Sequence, residues 1–308
     1  MTLPRIGAEQ LREALPTAAA VDALEAAFRA GSIPQAPPRA HVPAGDGDLL
    51  LMPAVGEQGA GVKLVTVNPS NPERGLPLVQ GAYVLFAPET LEPVALFGGA
   101  ELTALRTAAV SALATRHLAR RDASRLVMFG AGTQAAAHLE GMMAVRSVEE
   151  VTIVSRTRET AEALAERARG LGLGARVGSA EDVRAADLIC TCTTSPTPVL
   201  DGSLLPAGAH VNAVGAFRPT ERELDDETVR RGRLVVETRE AAFEEAGDLM
   251  IPIKDGVIAE ENVIADLAEV IGGVEVRRSS RDVTVFKSVG VAYEDLVIAR
   301  AALDRLSS

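Results

Sequence analysis

The chain has 308 residues, of which 47% are hydrophobic and 24% charged, with a formal net charge of −11 at pH 7. That length suits two domains with buried cores, and the apolar content excludes an intrinsically disordered chain. The acidic balance counts against nucleic-acid and anionic-membrane partners, which are held through basic faces. Residues 1–10 contain no apolar core of signal-peptide length. No run approaches the ~20 apolar residues of a membrane span. A soluble, reduced, cytoplasmic protein is expected.

Residues 17–30 (TAAAVDALEAAFRA) place Val21, Leu24, Ala27 and Phe28 at helical spacing, and Gly31 follows as a stop. The Pro-rich stretch 33–43 must be extended or looped. Strand-like runs come next, at 49–52, 62–67, 82–86 and 93–97, separated by turn sequences such as NPSNP (68–72) and APE (87–89). Sequential strands on short turns predict an antiparallel sheet, and an Ala- and Leu-rich helix over 103–120 follows it. From Arg125 the pattern changes. Predicted strands at 125–129, 151–155, 187–191, 210–214 and 234–237 are interspersed with helices, one running to about 145 and one over 159–169. This is the pattern of a doubly wound parallel sheet. The stretch 291–306 reads as a helix with Leu296, Ala299, Leu303 and Leu306 on one side.

The strongest local signal is Gly130-Ala131-Gly132-Thr133-Gln134-Ala135, directly after a strand and directly before a helix. In G-x-G-x-x-(G/A) the first glycine makes the tight turn and the second admits a pyrophosphate to the backbone. The small third residue lets helix and strand pack, and the helix N-terminus faces the phosphates. At the end of the second strand, where an NAD enzyme usually carries a carboxylate for the ribose 2′-hydroxyl, the chain has Ser155-Arg156-Thr157. A guanidinium flanked by two hydroxyls suits a 2′-phosphate, so NADP is favoured, with NAD possible. Thr193 is counted with this cofactor set.

Two residues stand out in the first half. Lys63 interrupts an apolar strand-like run, where a charge is costly to bury unless paired, and Arg106 interrupts an Ala-rich helix. Either residue alone would also fit a side chain that reaches solvent. Cys190 and Cys192 flank one threonine and read as small buried hydrophobes. Among His41, His117, His138 and His210 no pair stands at i,i+4, so the sequence gives no support for a metal site.

Taken together, GVKLVTVNPSN (61–71), LTALRTAAVSALA (102–114), FGAGTQA (129–135), HVNAVGAFRPTERELDD (210–226), AGDL (246–249) and TVFKSVGVAYEDLVIA (284–299) resemble the ornithine cyclodeaminase/mu-crystallin family along nearly the whole chain. The resemblance implies an α/β fold: a Rossmann doubly wound sheet over 119–289, with an α+β substrate-binding and dimerisation domain from 1–118 and the C-terminal helix at 290–308. It implies a homodimer, and hydride transfer at a carbon bearing a carboxylate and a nitrogen. It further implies that Arg39, Lys63 and Arg106 hold the substrate carboxylate, with Lys63 also catalytic.

The cyclodeaminase branch carries an aspartate where this chain has Phe217, and an acidic residue where it has Leu50. Phe217 cannot act as an acid or base. That departure points toward the ketimine-reductase side of the family. The expected reaction is reduction of 1-pyrroline-2-carboxylate or 1-piperidine-2-carboxylate to the cyclic amino acid. Alternatives are an alanine-type amino-acid dehydrogenase, an ornithine cyclodeaminase, and a crystallin-like protein that binds NADP and a ligand without turnover.

Overall fold

The computed structural model describes residues 3–34 and 36–307. The chain divides into two compact units. One takes in the described residues up to Val110 and those from Val291 onward, and the other is Ser111–Gly290.

The first unit opens with β1 (Arg5–Ile6), α1 (Ala8–Ala14) and α2 (Thr17–Ala30). α2 buries Ala20, Val21, Leu24 and Ala27 along one stripe, and it stops at Gly31, whose φ of 66° few other residues would adopt. A meander follows: β2 (Ala40–Ala44), β3 (Gly47–Gly56), β4 (Gly59–Val67), β5 (Val79–Phe86) and β6 (Pro93–Gly98). Each strand pairs antiparallel with the next, and β1 adds to β6 in parallel, giving the order β1-β6-β5-β4-β3-β2. Successive side chains point to opposite faces. On β4, Gly59, Gly61, Lys63, Val65 and Val67 are buried while the residues between them are exposed or half-buried. A lysine thus occupies a core position. α3 (Gly99–Leu118) follows β6, starting and ending earlier than the sequence pattern suggests.

The second unit alternates β7 (Arg125–Phe129), α4 (Thr133–Val145), β8 (Glu150–Val154), α5 (Arg158–Gly170), β9 (Gly174–Val177), β10 (Leu188–Thr191) and β11 (His210–Ala213). It continues with α6 (Asp226–Arg231), β12 (Arg233–Val236), α7 (Arg239–Glu245), α8 (Gly247–Lys254), β13 (Val263–Asp266), α9 (Leu267–Ile271) and β14 (Thr284–Lys287). All eight strands run parallel in the order β13-β12-β14-β11-β10-β7-β8-β9. This is a Rossmann-type doubly wound sheet. Both of its faces are covered, so central strands such as Leu188–Thr191 are buried at every residue. From β7 the chain winds outward to β8 and β9, then returns to β10 on the other side. The switch point, where such folds bind nucleotides, lies between β7 and β10.

α10 (Ala292–Leu306) belongs to the first unit and packs on α2 and on β3, β4 and β5. Its buried side differs from the expected stripe. Leu296 and Ala299 are buried as expected, together with Glu294, Asp295 and Ala302, whereas Leu306 is 45% exposed. No helix among the described residues is long and apolar enough to cross a membrane.

Candidate active site

Lys63 does not reach solvent, being 1% exposed on the inward face of β4. Its Nζ donates to both carboxylate oxygens of Asp295, at 2.9 and 2.7 Å. Arg106, on α3 and also buried, donates from Nη1 to Glu294 Oε2 at 2.9 Å and holds Nε 3.4 Å from Asp295 Oδ1. The carboxylate of Asp295 therefore lies between the ammonium and the guanidinium. Glu294 and Asp295 stand in the first turn of α10, where the helix dipole favours anions, and both are fully buried.

Arg39 precedes β2 and is close enough for its charge to act on Lys63. Burial lowers the pKa of Lys63 most, and repulsion from Arg106 adds to this. The charge and hydrogen bonds of Asp295 oppose them, Arg39 lowers the value a little further, and the result is about 8. Tyr83, the cross-strand partner of Lys63 on β5, is also fully buried. Burial and the charge of Asp295 hold its hydroxyl protonated by pushing its pKa upward. The phenol lies over Gly61, where an added methyl carbon would sit 1.8 Å from the hydroxyl oxygen, so this strand position has no room for a side chain.

The structure thus gathers Lys63 and Arg106 around a carboxylate, with Arg39 in electrostatic range. Sequence reasoning did not find Glu294, Asp295 or Tyr83. The one available signal was the requirement itself: a lysine in a strand core must have an anion, and the Glu294-Asp295 pair is the anion supplied. Leu50 is 4% exposed and packs with Val65 and Val67, an apolar neighbourhood with no carboxylate role. Phe217, in the second unit, is half-buried against that unit's core, with the Arg218 guanidinium 5.7 Å from its ring centre.

The nucleotide motif sits at the switch point. Gly130 has a φ of 101°, and an added methyl carbon would lie 2.4 Å from Cys192 O, on the chain leaving β10. Its N–H donates to Val154 O at 2.8 Å, at the end of β8. Gly132 is the N-cap of α4, and a methyl carbon added there would meet nothing within 4 Å. The first amides of α4 carry no side-chain cap, a donor set suited to a pyrophosphate. Ala135 is buried where α4 packs, Ala131 and Gln134 are half-buried, and Thr133 is exposed.

Ser155, Arg156 and Thr157 follow β8, with Ser155 half-buried and the other two exposed. Arg156 makes no ion pair with any described residue. Thr193 points its amide and hydroxyl at Glu223, both at 2.7 Å. Cys190 is buried on β10 and Cys192 lies just beyond the strand. Burial pushes both thiols up, Cys190 to about 12, so neither is a thiolate nucleophile. His41 is exposed on β2, while His138 and His210 are buried in hydrogen bonds to Ser111 and Thr284.

A sequence model of the ornithine cyclodeaminase/mu-crystallin family matches residues 7–308. The chain belongs to this family. It is 40% identical over 263 residues to the Delta(1)-pyrroline-2-carboxylate reductase of Bacillus cereus, covering 83% of this chain and 81% of that one. The solved Delta(1)-pyrroline-2-carboxylate reductase of Thermococcus litoralis, in complex with NADH and L-proline, superimposes with a TM-score of 0.94 at 34% identity, covering 99% of this chain and 98% of that one. An archaeal alanine dehydrogenase dimer with bound NAD gives a TM-score of 0.93 at 33% identity, covering 100% and 97%.

Proposed function

We propose that this protein reduces a small cyclic imine carboxylate, 1-pyrroline-2-carboxylate or 1-piperidine-2-carboxylate, to proline or pipecolate with NADP(H). The observation that carries the reading is the buried cluster of Lys63, Arg106 and Asp295, with Arg39 in range. The buried Lys63 ammonium and Arg106 guanidinium stand side by side, and a substrate carboxylate is the complementary ligand for such a pair. Arg106 and Arg39 hold that carboxylate through paired N–H donors. A bound nicotinamide supplies hydride to C2 of the ring. Charge must not build up on the ring nitrogen, and Lys63 Nζ gives it a proton. Arginine cannot do this, because its pKa exceeds ~12. A lysine with a pKa of about 8 can, and it takes up a proton again before the next turnover. The two pyrroline-2-carboxylate reductases support the same reaction. Phe217 and Leu50, where carboxylates would serve deamination, support reduction rather than cyclodeamination.

NADP(H) is preferred to NAD(H) on account of Arg156, exposed beside Ser155 and Thr157, although both solved relatives above carry NAD(H). The protein is read as a cytoplasmic homodimer. The sheet face opposite α10 is unusually apolar for an exposed surface, with Pro53, Val62, Val84 and Leu96 in one cross-strand row and Leu51, Leu64 and Ala82 in the next. All of these are half-buried or exposed, Leu64 by 37%, and Val55, two residues beyond Pro53 on β3, is 57% exposed. A second copy of the chain covers such a face.

The test is NADPH oxidation with purified protein against both cyclic imines, pyruvate with ammonia, and ornithine with the oxidised cofactor. The proposal predicts turnover of a cyclic imine and none of ornithine. Pyruvate with ammonia as the better substrate, or ammonia released from ornithine, would overturn it.

A further inference from the structure

Two loops of the second unit meet at the carboxyl edge of its sheet, one leaving β10 and one leaving β11, and a single buried side chain holds both. Glu223 Oε1 accepts from the Thr193 amide and hydroxyl, each at 2.7 Å. Its Oε2 accepts from the Thr191 hydroxyl at 2.8 Å and from the Gly215 and Ala216 amides at 2.6 and 3.3 Å. Amides only donate, and each carboxylate oxygen faces at least one, so the ionised form is the one that fits. Burial pushes the Glu223 pKa upward, and the Lys287 ammonium pulls it back.

Glu223 is itself fixed in place. Asp248 Oδ1 accepts from the Glu223 and Leu224 amides at 2.7 and 2.8 Å. Lys287 Nζ lies 2.8 Å from Asp248 Oδ2 and donates to Ala216 O at 2.5 Å. The loops touch directly as well, since a methyl carbon at Gly215 would lie 2.1 Å from Thr193 O.

Strand order gives this cluster a meaning. A dinucleotide laid across the switch point, with its adenosine at the end of β8, puts its nicotinamide half over the loops after β10 and β11. We infer that Glu223 is a positioning residue of the nicotinamide subsite, fixing the spacing of the Thr193 and Gly215–Ala216 loops while touching neither cofactor nor substrate. The inference rests on the cofactor reading above.

Calorimetric titration of Glu223→Gln with NADPH and NADH, and with their adenine-side fragments 2′,5′-ADP and 5′-AMP, tests it. The amide keeps the shape but turns an N–H toward backbone donors. Affinity for the intact dinucleotide is expected to fall by about tenfold or more, as for one lost charge-assisted bond. The fragments keep wild-type affinity. The gain in nicotinamide fluorescence on binding should shrink in parallel. If Glu223→Gln does not fold, Thr191→Val removes one donor to the same carboxylate, and the same split in smaller measure is expected. Equal weakening of fragments and dinucleotides, or unchanged dinucleotide affinity, would overturn the inference. Wild-type protein that binds neither dinucleotide would overturn the cofactor reading instead.

Discussion

At Lys63 burial and neighbouring charges compete over one proton. Burial and Arg106 favour its loss, and Asp295 favours its retention. If Lys63 is the proton donor, kcat/KM for imine reduction falls as pH rises through about 8. Asp295→Asn removes the opposing charge, so the pKa of Lys63 drops and the alkaline limb moves to lower pH. A limb that stays in place in this variant would show that another group titrates. The variant also leaves a buried cation without its partner, a loss of ~3–5 kcal/mol, so its profile belongs at low temperature. Lys63→Met should cut turnover by ~10²–10⁴, the range for a general acid, whereas Arg39→Met should act mainly on KM. Full turnover by Lys63→Met at saturating substrate would reduce Lys63 to a binding residue. On the nucleotide side, Arg156→Asp should weaken NADPH by about tenfold or more and NADH little, and steady-state KM values decide it. Lys63 and Arg106 were legible because each breaks an apolar pattern. Glu294 and Asp295 were not, because acids in a helix's first turn ordinarily face water.

The elements that sequence pattern located well are long or strongly marked. α2 runs over Thr17–Ala30 and β7 over Arg125–Phe129, the spans read from period and from the Gly-rich turn. Short elements were missed, among them the helices α1 and α6 to α9 and the strands β9, β13 and β14, which have four residues each and carry charges such as Arg176, Asp266 and Lys287. Their pairing comes from neighbours far off in sequence, which local periodicity does not record. The end of α3 is a similar case. It lacks a glycine cap, and two distant arginines take its carbonyls instead. Arg146 Nη2 donates to Thr115, Arg116 and Ala119 at 2.7, 3.1 and 2.8 Å, and Arg277 Nε to Leu118 O at 2.6 Å. Arg146→Ala leaves several of these acceptors unsatisfied, at ~1–3 kcal/mol each where buried. Thermal unfolding should therefore begin several degrees earlier, at ~2–4 °C per kcal/mol for a unit of this size. An unchanged Tm would mean that water replaces the guanidinium without loss.

For the whole molecule, the acidic composition counted against nucleic-acid and anionic-membrane partners, while the motif set pointed to the family and, through Phe217 and Leu50, to a branch within it. The face proposed for self-association was not legible. Alternation on β3, β4 and β5 is apolar on both sides, and only the structure separates the side under α10 from the exposed one. Leu64→Arg places a charge in the middle of that exposed face and should give a monomer by light scattering at a concentration where the wild type is a dimer. A wild-type monomer would contradict the assembly, though not the chemistry. The chemistry is tested most directly by following one atom. With 1-pyrroline-2-carboxylate and NADPH carrying deuterium at the transferable position of its nicotinamide, the account predicts proline with a single deuterium on its α-carbon, detected by mass spectrometry and proton NMR. Cofactor oxidation that yields no proline, or proline without deuterium at that carbon, would contradict it.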